Sequence, residues 1–236
     1  MVGHASAPHC CNPDKALTSM LSAYRTIAGS GTHELEIRKS RFICTIARAG
    51  TDTDAREFIN ALKKQHWDAN HNCSAYVIGD RGQAQRCSDD GEPSGTAGVP
   101  MLGVLLKQGL TDTVTVVTRY FGGTLLGVGG LIRAYGQSVS AVIAEVGVVE
   151  VQPRLIVAID ASHDEAGRLE NALRTTNYVL QDVEYANTVT FTMQTTEKEL
   201  PQLQFWVAEA TNGVCDVMSI GEELVEVPVT AEGIDR

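Results

Sequence analysis

Two glycine-dense loops, set on either side of an apolar segment, constrain this chain more than any other feature. They lie in the stretch from Arg86 to Tyr135: the first loop is acidic, and the second lies between Arg119 and Arg133. Glycine at this density is typical of tight turns and of places where the backbone closely approaches another backbone or a ligand. The stretch therefore predicts either a constrained scaffold or a binding site.

The charge of the chain is unevenly distributed along its length. The 236 residues carry a formal net charge of −10. Residues 147–236 hold 16 Asp and Glu against 5 Lys and Arg. A broad electrostatic grip on nucleic acid needs a basic surface. The C-terminal part is thus unsuited to that role, and residues 1–146 can fill it only through a local patch.

Cysteine usage and hydropathy indicate a cytoplasmic protein. No stretch approaches the ~18 consecutive apolar residues of a membrane span, and the first thirty residues lack a signal sequence. The six cysteines are irregularly spaced, so we expect free thiols rather than a disulfide framework. His9, Cys10 and Cys11 resemble a fragment of a metal site but lack a second ligand pair, so no metal is predicted.

Residues 24–146 are predicted to form a first domain, preceded by a disordered leader over residues 1–23. Alternating apolar residues over 33–48 predict two strands, and Thr51 begins a helix as a capping side chain. Further strands are expected at 73–79 and 114–118. We expect one helix capped by Ser94 and another running from about Gly130 to Val146.

Residues 147–236 are predicted to form a second domain with the order β-α-β-β-α-β. Capping boxes at Ser162 and Thr196 precede two helical patterns, and Asn212-Gly213 ends the second helix. This order is that of the ferredoxin-like fold. The fold class predicted for the whole chain is α+β.

The second glycine loop does not match a nucleotide-binding pattern. A phosphate loop needs lysine after its last glycine, and the chain has Val128 there; a dinucleotide loop needs glycine where the chain has Ile132. A strand-to-helix turn that packs tightly on the sheet is favoured, and no dinucleotide or other cofactor is predicted. An anion site formed by backbone amides with Arg119 and Arg133 remains open.

The acidic loop carries Asp89, Asp90 and Glu92. Such carboxylates can bind a divalent cation or act as acid and base. Carboxylates that precede a helix also accept bonds from its backbone amides. The structural role is favoured over catalysis, so no catalytic residue is assigned.

Aromatic and cationic residues near the glycine loop favour contact with RNA. Arg119, Tyr120, Phe121 and Arg133 can hold single-stranded RNA by stacking and by phosphate contacts. Tyr135 also belongs to an apolar helical stripe. Further cations that can extend a basic face are Lys39, Arg41, Lys63 and Lys64.

Together, these motifs resemble those of the IMPACT family, in the two-domain bacterial form of the YigZ-like proteins. The resemblance rests on the sequence Ser-Asp-Asp-Gly-Glu-Pro-Ser-Gly-Thr-Ala-Gly from Ser88, on Arg119-Tyr120-Phe121-Gly122-Gly123, and on the segment from Leu126 to Tyr135. Lys39-Ser40-Arg41-Phe42 and His71-Asn72-Cys73 match earlier positions of the family. It covers residues 24–146 strongly.

The resemblance implies a fold and a class of function. The first domain is expected to form an α/β sandwich like the second domain of ribosomal protein S-five, which is related to domain IV of elongation factor G. The second domain is expected to resemble the last domain of that factor. Eukaryotic members of the family regulate translation, so we expect a non-catalytic regulator that binds RNA, the ribosome or a translation protein.

The expected contact surface combines the glycine loop, the flanking residues and the acidic loop. Its residues are Arg119, Arg133, Tyr120, Gly122, Gly123, Gly127, Gly129 and Gly130, with Asp89, Asp90 and Glu92 on the acidic side. The alternative hypothesis is a hydrolase, of peptidase or phosphate-ester type, that uses the three carboxylates. A third possibility is a scaffold that contacts only proteins.

Overall fold

A computed structural model of the protein describes residues 22–79 and 81–229. Most of the predicted leader, including His9, Cys10 and Cys11, lies outside the described residues. The described part contains ten strands in two antiparallel sheets, together with five helices. The predicted α+β class is therefore confirmed. No helix within these two ranges is long and apolar enough to cross a bilayer.

The first sheet consists of five antiparallel strands in the order β2-β3-β6-β4-β5. Their bounds are β2 (Gly31–Ile37), β3 (Ser40–Arg48), β4 (His71–Ile78), β5 (Ala84–Ser88) and β6 (Thr113–Tyr120). Most side chains of the three central strands are buried or half-buried on both faces, as expected of a sheet covered on both sides. β2 and β5 are the edge strands.

Helices cover both faces of this sheet, so the first unit has three layers. One face packs against α1 (Asp52–Gln65), and the other packs against α2 (Gly98–Lys107) and α3 (Val128–Val146). The larger core lies under α2 and α3, where Phe42 and Tyr135 meet edge to face at 5.4 Å. Side chains alternate along β6, so Arg119 faces α3 and Tyr120 faces α1.

Two local features of the first unit differ from the predictions. The sequence predicts no strand at β5, because this exposed edge strand lacks an apolar face. Ser94 does not cap α2, which begins at Gly98 without a cap from its own N-cap residue, Ala97. The helix predicted from about Gly130 to Val146 is found as α3, which begins at Val128 after Gly127 makes the turn into it with a φ of 73°.

The second sheet has the predicted ferredoxin-like order, β10-β7-β9-β8, with its strands antiparallel. Its elements are β7 (Val148–Ala161), α4 (His163–Leu173), β8 (Val179–Tyr185), β9 (Val189–Thr195), α5 (Leu200–Thr211) and β10 (Val217–Pro228). Asn212 ends α5 in the left-handed conformation, as predicted. Phe191 and Met193 of β9 and Leu203 and Val207 of α5 are buried in its core.

The first strand of the described part links the two units. A short strand, β1 (Tyr24–Ile27), pairs with the first residues of β7 in the second sheet. Ile27 at its end is fully buried in the core of the first unit. Arg48 of β3 reinforces the link, because it donates to the Ile27 and Ala28 carbonyls and forms an ion pair with Glu226 of β10.

Candidate functional site

The two glycine-dense loops meet at one end of the first sheet, and a cavity of about 500 Å³ lies between them. β6 ends here, β4 begins here, and α3 starts at its edge. Polar groups line one part of the cavity and apolar side chains line the rest; among them are Asn70, His71, Glu92, Arg119, Phe121 and Leu125. We refer to this cavity as the groove.

A buried ion pair forms the floor of the groove. Arg119 Nη1 donates to Glu92 Oε1 at 2.6 Å, and the Tyr135 hydroxyl donates to the same oxygen at 2.8 Å. Arg119 also lies over the rings of Phe42 and Phe121, at 5.3 and 5.6 Å from their centroids. Its Nε is the one buried side-chain nitrogen or oxygen without a hydrogen-bond partner in the described part of the chain.

This arrangement differs from the one expected for a phosphate-binding arginine. Only 5% of the Arg119 surface is exposed, and its charge is already matched by Glu92. A charge that is buried and paired in this way stabilises the local fold and is unavailable to a large ligand. Arg119 therefore shapes the groove, and any phosphate contact must come from other cations.

Asp89 organises the acidic loop by acting as a distant cap for α2. Its carboxylate accepts from the amides of Gly95, Ala97 and Gly98, at 2.8, 3.0 and 2.8 Å. Burial opposes the charged form, but the three amide bonds outweigh it and lower the pKa of Asp89 below its usual value. The carboxylate is thus held ionised at the positive end of the helix.

Asp90 ties the acidic loop to α1 and β4. It accepts from Lys63 Nζ and from the Asn72 amide, both at 2.6 Å, and its own carbonyl accepts from His71 Nδ1 at 2.9 Å. Burial is again opposed by the bonds from Lys63 and Asn72, which lower the pKa of the Asp90 carboxyl. Asp90 adopts a positive φ of 44°, a conformation that aspartate tolerates in tight turns.

All three carboxylates of the acidic loop are thus engaged by groups of the protein itself. Asp89 accepts hydrogen bonds from backbone amides, Asp90 forms an ion pair with Lys63, and Glu92 forms an ion pair with Arg119. In residues 22–79 and 81–229, no group of three or more His, Cys, Asp or Glu side chains is arranged to hold a metal ion. The geometry of these residues corresponds to the structural role that the sequence favoured.

The glycines of the second loop serve two purposes. At Gly122, an added Cβ would lie 2.0 Å from the backbone of Lys39, so only glycine lets the β2–β3 turn pack against this loop. Gly123 and Gly127 adopt positive φ values of 83° and 73°. Gly129 and Gly130 lie in the first turn of α3, whose N terminus has no side-chain cap. Gly127, Val128 and Leu131 at the start of α3 line one side of the groove.

Arg133 and Tyr120 lie in different surroundings. Arg133 is exposed on α3, with Nη1 beside Gly129. Tyr120 points to the opposite face of the sheet, where its hydroxyl contacts His66 Nδ1 at 3.0 Å and donates to Asp68 at 3.1 Å. Arg41 lies over its ring at 5.5 Å. Neither side chain is among those that line the groove, although Arg133 lies within the first two turns of α3.

The rim of the groove is both apolar and cationic. Phe121, Leu125 and Val128 are exposed there, and 82% of the Leu125 surface is accessible. Arg38 and Lys39 lie in the β2–β3 turn, and Arg38 Nη1 donates to the Leu125 carbonyl at 3.4 Å. Neither Leu125 nor Arg38 is among the residues that the sequence predicts for the contact surface. Two consecutive leucines within a glycine-rich loop are the available signal for Leu125, whereas nothing in the sequence indicates Arg38.

Comparisons with known proteins match two separate parts of the chain to two domain families. Residues 38–143 match the model of the Impact N-terminal domain, and residues 159–214 match a domain of unknown function, DUF1949. Over 198 residues the chain is 51% identical to IMPACT family member YvyE of Bacillus subtilis, covering 84% of this chain and 91% of that protein. This chain belongs to the IMPACT family.

Other members of the IMPACT family are more distant. IMPACT family member YigZ of Escherichia coli is 32% identical over 189 residues, covering 79% of this chain and 93% of that protein. A crystal structure of a hypothetical protein superimposes with a TM-score of 0.54 at 30% identity, covering 86% of this chain and 99% of that one. The groove lies within the region that matches the Impact N-terminal domain.

Proposed function

We propose that this protein is a non-catalytic regulator of translation that binds RNA, free or on the ribosome, through the rim of the groove. The observation that carries the proposal is the combination of unpaired cations with exposed apolar side chains around the start of α3. Arg38, Lys39 and Arg133 are exposed and form no ion pair with any residue that the structure describes. Phe121 at the rim has Arg119 over one face of its ring and offers the other face for stacking.

The start of α3 adds partial positive charge to these cations. Helix N termini without a side-chain cap present free amides to an anion, and the helix dipole favours negative charge there. Phosphate contacts made by lysine, arginine and helix N termini position a protein on nucleic acid without reading its sequence. The expected binding is consequently sensitive to salt and tolerant of sequence.

The acidic second unit would restrict where the RNA can lie. Its strong negative charge disfavours a polyanion along β7 to β10, so electrostatic repulsion directs RNA toward the first unit. The same charge suits contact with a basic ribosomal protein. These two effects together fit a protein that binds at an RNA–protein surface.

The hydrolase alternative receives less support from the same residues. A general base or metal ligand needs a carboxylate that can reach a substrate or an ion. Asp89, Asp90 and Glu92 are instead bound to internal partners at 2.6 to 3.0 Å. Releasing any of them would cost the stabilisation that it provides to the loop.

The test is co-sedimentation with ribosomes and filter binding to RNA over a range of salt concentrations. The double variant Lys39→Ala with Arg133→Ala should weaken binding to all sequences and reduce the slope of log K against log salt by about 1 to 2. Arg168→Ala is the matched control, because Arg168 is an exposed arginine on α4 in the second unit. Equal binding by the double variant and the parent would refute the proposal.

A further inference from the structure

Trp67 is the largest side chain of the first unit that is left in solvent. It exposes 82% of its surface, in the short loop between α1 and β4. The other tryptophan of the chain, Trp206, packs against the core of the second unit. An exposed indole gives up the gain that its burial would provide, so its place in this loop is not explained by folding.

The loop that carries Trp67 is fixed at the end of the sheet that forms the groove. The Asn70 amide donates to the Arg119 carbonyl at 3.0 Å, and Asn70 Oδ1 accepts from the Phe121 amide at 2.7 Å. Asn72 Nδ2 donates to the His66 carbonyl at 3.2 Å on the other side of Trp67. Hydrogen bonds on both sides of the indole thus hold its loop beside the end of β6.

The residues next to Trp67 in the sequence are charged or polar rather than apolar. Lys64 is exposed on the last turn of α1, and it forms no ion pair with another described residue. His66 and Asp68 flank the indole in the sequence and both contact the Tyr120 hydroxyl. The core of a protein interface is depleted in charged residues. A nucleobase, in contrast, needs one ring face and a nearby cation for its phosphate.

We propose that Trp67 stacks on an unpaired base of single-stranded RNA whose backbone continues past Phe121 to the start of α3. This inference rests on the proposed function and names its ligand class, an RNA segment with unstacked bases. Lys64 binds the phosphate next to the stacked base, and Arg38 and Lys39 on the rim bind phosphates farther along the strand. Bases within a duplex are already stacked on each other, so a duplex cannot use the indole in this way.

The measurement uses the full chain with Trp206→Phe, which leaves Trp67 as its one tryptophan. This protein is titrated at low salt with mixed-sequence single-stranded RNA and, separately, with the corresponding duplex, while indole fluorescence and filter retention are recorded. Trp67→Ala and Trp67→Phe are compared in filter binding. The control variant is Phe205→Ala, because Phe205 is 65% exposed on α5 in the second unit.

Single strands should quench the fluorescence along the same curve that filter binding gives, and duplex should not. Trp67→Ala should bind single strands about tenfold more weakly, Trp67→Phe should keep most of the affinity, and the Phe205 variant should match the parent.

Binding of single strands without quenching, or with full affinity in Trp67→Ala, would overturn the role of Trp67 and leave the proposed function standing. Equal quenching by duplex would overturn the assignment to unstacked bases. Failure of the parent to bind any RNA at low salt would remove the proposed function itself.

Discussion

The buried pair of Arg119 and Glu92 allows the sharpest prediction about the fold around the groove. Glu92→Gln keeps the size of the side chain and an oxygen that can accept from Arg119 and Tyr135, but it removes the negative charge. Arg119, with 5% of its surface exposed, is then left as a buried, unpaired charge. Breaking a buried ion pair from one side costs about 3 to 5 kcal/mol.

The assay is equilibrium unfolding in urea, followed by far-ultraviolet circular dichroism. We expect Glu92→Gln to lower the free energy of unfolding of the first unit by about 3 kcal/mol and Glu92→Leu to lower it further. Glu92→Leu combined with Arg119→Leu should recover much of the loss, because neither charge remains.

The matched control is the exposed pair of Arg41 and Glu34, linked at 2.7 Å. Glu34→Gln should leave the urea midpoint unchanged, since exposed pairs contribute little. If Glu92→Gln behaved like Glu34→Gln, or if the double variant were less stable than Glu92→Leu, the ion pair would not be what holds the groove floor.

Three further predictions follow from the loops and the thiols. Asp89→Asn should destabilise the protein at pH 7, and the difference in stability between variant and parent should shrink as the pH falls below about 4. The reason is that the stability given by a lowered carboxyl pKa is lost as the pH falls through the pKa of Asp89 in the folded protein. Urea midpoints measured against pH test this. Gly122→Ala should lower the free energy of unfolding by about 2 kcal/mol, since its Cβ would overlap the β2–β3 turn, while Gly103→Ala, which has open space, should cost nothing. In native protein, iodoacetamide should modify the exposed Cys87 and spare the buried Cys44, because burial raises the pKa of the Cys44 thiol to about 12. Mass spectrometry of peptides measures the labelling. Labelling of Cys44 at the rate of Cys87 would contradict this prediction.

Several elements could be predicted because the sequence expresses them locally. The alternation in β9 and the left-handed Asn212 at the end of α5 are short-range patterns, and both were found where expected. The edge strand β5 was missed because its pairing with β4, rather than its own hydrophobicity, makes it a strand. Ser94 is a reasonable cap for α2 by sequence, but the carboxylate of Asp89, nine residues before Gly98, accepts from the amide of Gly98 instead.

The α+β class, the order of elements in the second unit and the place of the groove between two glycine loops follow from the sequence alone. Which charges around the groove are available depends instead on how the chain folds. Arg119 and Arg133 look equivalent in the sequence, but the alternation of β6 buries the first against Glu92, whereas α3 turns the second toward solvent. Burial and pairing depend on residues far apart in the chain, such as Arg119 and Glu92, and therefore no local pattern could have separated a structural arginine from one that is free to bind a ligand.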